Sequence, residues 1–461
     1  MKIPNLVYST LILFISNFVV RIIGFLYKIF LSHNLSDIHL GVYHLVFNFL
    51  MICIALTTTG IPTALSCLVA RKKAFNDKHG TNTLFISAIY ISFFIATIIA
   101  LFTGFNSNYL SMKILHSNHL SIFIFAICPA IIAITLSNIV RGYYYGIKKV
   151  NIPAISQILE QVTKILFVYL IAKNFDNPTL VCLSAIVGIS IGECTSLIFM
   201  TFGLAKKPYI DNKYTIDMRE FISASYDTVK MSLPITCNRM SNIVLNSISS
   251  MIIPSRLALS GITYSNALGI YGTISGMVSP FVYLPFMLVS ALVVNIIPSI
   301  SLEVSRKNTY AIKRKIFFSI SITLIMGILC SFLFYFFGED LCIFVFKNEL
   351  AGTYLKNMFL IPLFLSLNHI ISGILHSVGK EYISSLIGIL SMIFQTTLLY
   401  FILPIPNVGI NGYIIILTII PFISFLACTL VLFKYLKSLR WGDFFIWLIQ
   451  ILTILILQTF F

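Results

Sequence analysis

The chain has 461 residues, of which 58% are hydrophobic and only 10% are charged, and its mean hydropathy is +0.97. Soluble domains carry about 25% charged residues, so this composition excludes a soluble protein. A chain this apolar is expected to cross a bilayer as helices, because helices satisfy their own backbone groups without water. The net charge of +16 would suit a nucleic-acid partner, but the distribution of the charges gives it another meaning.

Apolar runs of helical length follow one another along the whole chain. We predict thirteen of them as helices, at 6–31, 42–70, 82–104, 118–140, 152–172, 180–204, 229–253, 270–298, 316–338, 353–376, 382–403, 411–433 and 443–461. The first run is longer than the apolar core of a cleaved signal and contains Arg21 and Lys28, which indicates a permanent span. The sequence therefore predicts an all-α polytopic membrane protein.

The loops between these runs alternate in charge. One set of loops holds 20 Lys and Arg residues, and the opposite set holds 4, namely Lys113, Lys173, Arg256 and Lys347. The positive-inside rule then places the N-terminus and the first set of loops in the cytoplasm, against anionic lipid head groups. The basic charge thus indicates topology in a cell membrane, with membrane lipids and not nucleic acid as the partner.

The longest polar stretch separates two similar lobes. We predict an N-terminal six-helix lobe at 1–204, a cytoplasmic linker at 205–228, a C-terminal six-helix lobe at 229–433 and an extra hydrophobic helix at 434–461. Leu136, Ile139, Gly142 and Lys149 align without a gap with Leu367, Ile370, Gly373 and Lys380. Corresponding helices run in the same direction, so we expect a pseudo-two-fold axis along the membrane normal, as in transporters whose halves rock about a central site.

Cations inside the predicted spans are the first candidates for function, because a charge at the bilayer centre costs about 2.5 kcal/mol or more. Arg21 and Lys28 are seven residues apart on the first helix and so share a face, and Arg239 lies in the first helix of the second lobe. Arginine can hold a phosphate with a two-pronged fork. We predict that these three residues line a cavity for a phosphate or pyrophosphate group. Snorkelling at a helix end is the structural alternative, above all for Lys28.

The fifth predicted helix carries a polar stripe. Glu160 precedes Lys164 by four residues, the order that favours an ion pair. Both are predicted to bind substrate, and a purely structural pair is the alternative. Glu193 follows Gly188 and Gly192 at a spacing that allows close helix packing. It has no partner in its own helix, so it either binds a coupling proton or sodium ion or bonds to a facing helix.

The run RGYYYGIKKVNIPAISQILEQVTKI at 141–165 resembles the stage V sporulation protein B family. That family joins its fourth and fifth helices with an Arg-Gly-Tyr…Gly…Pro…Ser-Gln…Glu-Gln motif, which is matched here by Arg141, Gly142, Tyr143, Gly146, Pro153, Ser156, Gln157, Glu160 and Gln161. Its other patterns are matched by Arg21, Gly24 and Phe25, by the Gly-x-Pro segment within 59–70, and by 232–242 with Arg239. The wider group is the multidrug, oligosaccharidyl-lipid and polysaccharide exporter (MOP) superfamily, with its MATE-like and MurJ-like members.

This resemblance implies a flippase that moves an undecaprenyl-pyrophosphate-linked sugar across the cytoplasmic membrane. In the sporulation branch the cargo is peptidoglycan precursor, lipid II, for the spore cortex. Arg21, Lys28 and Arg239 would then hold the pyrophosphate, and a monomeric transport unit is expected. Relatives commonly carry fourteen helices, against the thirteen predicted here.

Other functions stay open on the residues alone. An O-antigen-type polysaccharide flippase would use the same cations, whereas a multidrug exporter would need carboxylates such as Glu193 for cationic drugs. An integral-membrane glycosyltransferase would need a catalytic acid or base in an accessible loop. The sequence contains no carboxylate pair, nucleophile triad, P-loop or metal-ligand spacing. We therefore expect a transporter, without cofactor or metal, and not an enzyme.

Overall fold

The computed structural model describes residues 5–58, 60–114, 120–175, 177–206, 217–406 and 408–436. By contacts the chain groups into two units, one of residues 1–258 and 262–277 and one of residues 259–261 and 278–461. The helices of the first unit are α1 (Asn5–Asn34), α2 (Asp37–Thr58), α3 (Ile61–Ala74), α4 (Lys78–Phe105), α5 (Ser107–Ile114), α6 (Ser121–Ala126), α7 (Cys128–Gly146), α8 (Asn151–Asn174), α9 (Pro178–Lys206), α10 (Met218–Ala258) and α11 (Tyr264–Thr273). Those of the second unit are α12 (Ser279–Val282), α13 (Leu284–Ser305), α14 (Thr309–Phe346), α15 (Glu349–Asn357), α16 (Ile361–Ser377), α17 (Glu381–Ile402) and α18 (Gly409–Leu436).

These helices are long and apolar enough for a protein with many membrane spans. In the described ranges nine segments could cross a bilayer, and two bent helix pairs raise the number to 11. The predicted all-α polytopic class is confirmed. The predicted helix at 443–461 and residues 207–216 of the predicted linker lie outside the described residues.

Helix α10 begins at Met218, well before the start that the apolar run predicts near 229. Most side chains of its first three turns are exposed. Ala224 and Thr228 are buried, and Phe221 packs edge-on against Tyr90 of α4 at 6.0 Å between ring centroids. The second half of the predicted linker is thus helix. Its buried face is narrow and produces no continuous apolar run, so the hydrophobic pattern does not predict this part of the helix.

The predicted single helix at 270–298 is broken. A wide π-helical turn at Ile274–Val278 follows α11, and the chain bends by 43° at Tyr283, between Val282 and Leu284. Pro285 has no N–H to donate to the carbonyl of Phe281, one turn earlier, which accounts for the interruption of the helix here.

The core of the first unit is built on the tyrosines at the end of α7. Tyr143 packs against Phe85 of α4 with 4.4 Å between ring centroids and 37° between the ring planes. The buried hydroxyl of Tyr144 donates to the carbonyl of Met200 on α9 at 2.8 Å. A buried tyrosine needs such an acceptor, so these contacts fix α7 between α4 and α9.

The core of the second unit is built on α16, which packs against α13, α14 and α18. Leu367, Ile370 and Ile374 on its inner face are fully buried. Near the junction of α13 and α14, the Lys315 ammonium donates to the Glu303 carboxylate at 2.9 Å, which neutralises a carboxylate that is otherwise almost wholly buried.

The same local structures recur at a shift of 231 residues (76 to 307). Asn76 and Lys307 both adopt the left-handed backbone, each with φ of 55°. Each is followed by a helix-capping side chain, Asp77 or Asn308, that accepts from a backbone N–H three residues on, at 2.7 and 3.1 Å. The turn between α13 and α14 therefore has the same backbone conformation and helix cap as the turn between α3 and α4.

This register extends to the block that the sequence analysis aligned. A Cβ on Gly142 would lie 2.6 Å from the carbonyl oxygen of Pro62, and a Cβ on Gly373 would lie 2.7 Å from Val293, at the same shift. The finding supports the internal repeat from α3 onwards. The shift places Arg239 opposite residue 8, so Arg239 and Arg21 do not correspond in this register. The lobe boundaries stay a prediction.

Candidate functional site

The two cations of α1 lie on one face of the helix. Their separation of seven residues corresponds to about 10 Å of helical rise. Arg21 is exposed and Lys28 is half-buried. Within the described part of the chain, neither side chain forms a hydrogen bond or ion pair, and Lys28 lies near His44 of α2. Both cations are thus available to bind an anionic ligand.

The carboxylates of α8 and α9 are held by one arginine. Arg141 of α7 donates to Glu160 at 2.7 Å, to Glu193 at 3.1 Å and to Ser196 at 3.1 Å. The side chains of these three charged residues are 8–16% exposed. Buried charges of this kind must be paired, and this bridge ties α7, α8 and α9 together.

The predicted ion pair between Glu160 and Lys164 is not formed. One Glu160 oxygen accepts from Arg141, and the other accepts from Gln161 at 3.0 Å. The Lys164 ammonium instead donates to the amide oxygen of Gln161 at 2.6 Å and lies 4.7 Å from the ring centroid of Tyr27 on α1. Arg141 has taken the carboxylate because it reaches Glu160 from a neighbouring helix, which the spacing within α8 cannot reveal.

The glycines before Glu193 allow the predicted close packing, here between α9 and α8. A Cβ on Gly192 would lie 2.7 Å from the Glu160 carbonyl oxygen, and one on Gly188 would lie 3.1 Å from Val168. Helix α9 therefore approaches the backbone of α8 directly. The predicted bond from Glu193 to a facing helix is confirmed by its contact with Arg141, while its role toward a coupling ion stays a prediction.

The third predicted cation lies against α3. Arg239 of α10 is exposed, and its guanidinium donates to the hydroxyl of Thr63 on α3 at 3.2 Å. Helix α10 comes close to α3 here, since a Cβ on Gly60 would collide with the carbonyl oxygen of Ser232. The structure thus places Arg239 against α3, Lys28 near α2, and Lys164 against α1.

A charged cavity of about 340 Å³ lies between the end of α3, the start of α4 and the start of α10. The His79 ring nitrogen lies 2.6 Å from the Glu220 carboxylate at its wall, and Lys72 pairs with Asp77 at 2.9 Å. Sequence reasoning missed both this cavity and the bridging role of Arg141. The motif match at Arg141 was the available signal for the latter.

Comparison with known proteins gives consistent likenesses. The sequence family described as polysaccharide biosynthesis protein matches residues 6–302. Stage V sporulation protein B of Bacillus subtilis (strain 168) is 24% identical over 411 residues, which cover 88% of this chain and 79% of that protein. The lipid II flippase MurJ of the same organism is 24% identical over 186 residues, 38% of this chain and 34% of that protein. The predicted family resemblance is confirmed.

Solved structures give the fold. A multidrug resistance MATE family transporter of the MOP superfamily, in its inward-facing conformation, superposes with a TM-score of 0.72 at 15% identity, over 91% of this chain and 96% of that chain. At this level of identity the likeness concerns the fold alone, and it agrees with the helical architecture described above.

Proposed function

The chain belongs to the polysaccharide biosynthesis protein family, and from this premise we propose that it is a flippase that moves a lipid-linked oligosaccharide across the cytoplasmic membrane. The observation that carries the proposal is the pair of α1 cations, Arg21 and Lys28. They lie in an apolar span, and no described side chain pairs with them. A pyrophosphate linkage supplies the two negative charges that such a site lacks.

We propose lipid II as the cargo, since MurJ of Bacillus subtilis carries that substrate in its name and stage V sporulation protein B matches over most of this chain. Arg21, Lys28, Arg239 and Lys164 would contact the head group, whose lipid tail stays in the bilayer. Alternating access, with reorientation of the predicted lobes 1–204 and 229–433, would release it on the outer side. Glu193 would take up the coupling proton or sodium ion.

The structure weighs against a multidrug exporter for cationic drugs. Such a site needs unpaired carboxylates, and both Glu160 and Glu193 are bonded to Arg141. The open charges on α1 are positive instead. An anionic cargo is therefore the better match for this chain, and transport of an intact molecule requires no catalytic acid or base.

The test is leaflet-resolved measurement of lipid II in host cells depleted of this protein. We expect lipid II to accumulate on the cytoplasmic leaflet and wild-type protein to restore its distribution. Arg21→Ala and Arg239→Ala should insert normally but lose at least about tenfold in activity, because each removes a charged hydrogen bond to phosphate. Lys173→Ala is the matched control, since this exposed cation ends α8.

Two results would contradict parts of the proposal. Full activity of both arginine variants would exclude the pyrophosphate site. Unchanged lipid II on depletion would show that the cargo is another molecule, and a polysaccharide flippase would become the leading alternative.

A further inference from the structure

The position of Lys164 has a consequence for the anion site. Lys164 is half-buried, and no carboxylate oxygen lies within 4.0 Å of its ammonium among the described residues. Its ammonium is held by the amide oxygen of Gln161 on one side and by the face of the Tyr27 ring on the other. Neither contact neutralises the charge.

Tyr27 is a rigid support for this ammonium. Its ring is 3% exposed, so the surrounding helices fix its orientation. An ammonium over an aromatic face is attracted by the ring quadrupole yet keeps its N–H groups free in other directions. Tyr27 also directly precedes Lys28, so the ammonium of Lys164 lies against the helix that carries Arg21 and Lys28.

Arg141 affects the position of Lys164 through its ion pair with Glu160. It engages Glu160, and Gln161 occupies the remaining carboxylate oxygen. Without these bonds Glu160 lies one helical turn from Lys164, in the favourable order for an ion pair. Arg141 therefore prevents the neutralisation that the sequence of α8 would otherwise favour.

We propose that Tyr27 and Arg141 are positioning residues that hold Lys164 against α1 as an anion-binding cation. This inference rests on the proposed function and names the residues that position one cation of the same site. The four charges of Arg141, Glu160, Glu193 and Lys164 balance, yet only the Lys164 ammonium has no ionic partner. It is the member of this group that can turn to an arriving phosphate without breaking an existing ion pair.

The experiment measures binding of radiolabelled inorganic pyrophosphate to the full chain in lipid nanodiscs. Lys164→Ala should weaken binding at least about tenfold. Tyr27→Leu should weaken it about threefold to tenfold because the ring support is lost, whereas Tyr27→Phe keeps the ring and should bind as wild type. Lys164→Arg keeps a cation at this position and should bind more tightly than Lys164→Ala.

The pair Lys164→Arg and Lys164→Ala protects the test against misfolding, because one variant keeps the charge and the other removes it. If Tyr27→Leu does not yield a single folded species, the comparison of these two variants decides. Wild-type binding by Lys164→Ala, or a Lys164→Arg variant that binds no better than Lys164→Ala, overturns the inference. If Arg21→Ala weakens binding while Lys164→Ala does not, only this inference fails. If neither variant weakens binding, the proposed function fails with it.

Discussion

At the scale of single residues, Arg141 shows what a buried charge can do in a membrane span. Its partners lie 19 and 52 positions further along the chain, on two other helices. Because this arginine stands near the end of an apolar run, the sequence predicts it to be one of the cytoplasmic loop cations. The structure places it inside α7, where an unpaired guanidinium would be costly and two carboxylates neutralise it.

We expect Arg141→Gln to lower the free energy of unfolding by about 3 kcal/mol or more, because removal of one partner leaves buried carboxylates uncompensated. Chemical denaturation in detergent measures this change. The triple variant R141Q/E160Q/E193Q removes all the charges of the bridge and should regain most of the lost stability. A single variant as stable as wild type would show that the bridge does not join the three helices.

At the scale of helices, the sequence predicts what lies within one helix better than what lies between two. The polar stripe of α8 and the small residues of α9 were predicted and are found in contact. The partner of Glu160 was predicted wrongly, because spacing within a helix ranks local pairs and says nothing about a side chain from α7. The early start of α10 was also missed, because a hydrophobic run does not register one-sided burial. The bend at Tyr283 falls inside the apolar run that was predicted as one helix.

The contact of α8 with α9 gives a second prediction. Gly192→Ala should cost about 1–3 kcal/mol of stability, because the new Cβ meets the Glu160 backbone and must push the helices apart. Thermal unfolding of the purified protein measures the effect.

Gly388→Ala is the matched control for this variant. It lies inside α17, and a Cβ there meets nothing within 4 Å. Its higher helix propensity should leave stability unchanged or raise it by up to about 1 kcal/mol. Equal effects of the two substitutions would contradict close packing at Gly192.

At the scale of the whole molecule, the two repeats share backbone turns but differ in the side chains at equivalent positions. The shift of 231 residues that relates the turns places Ser372, Ser391 and Ser424 opposite Arg141, Glu160 and Glu193. Ser424 of α18 donates to the amide oxygen of Asn368 on α16 at 3.2 Å, so a neutral hydrogen bond stands here in place of the ion pair of Glu193. The two repeats therefore share helix order but differ in charge at these positions, which favours a functional asymmetry between them.

Orientation in the membrane is the remaining property of the whole chain that the charges predict. The loop cations number 20 on one side and 4 on the other, so we propose that the N-terminus is cytoplasmic. The turn at Phe75 and the start of α14 at Tyr310 would then face the cytoplasm, and Ser36 and Leu350 would face outward. All four side chains are exposed, and none carries a charge that the topology depends on.

Single cysteines at these four positions, in a variant whose nine native cysteines are replaced, test this orientation with a membrane-impermeant maleimide. We expect Ser36→Cys and Leu350→Cys to label in intact cells, and Phe75→Cys and Tyr310→Cys to label only after permeabilisation. The two expected inner positions lie in equivalent turns of the repeat, so they must agree with each other whichever way the chain inserts. Labelling of the inner pair in intact cells would reverse the orientation and would place the positive loops outside, against the electrostatic preference that the prediction rests on.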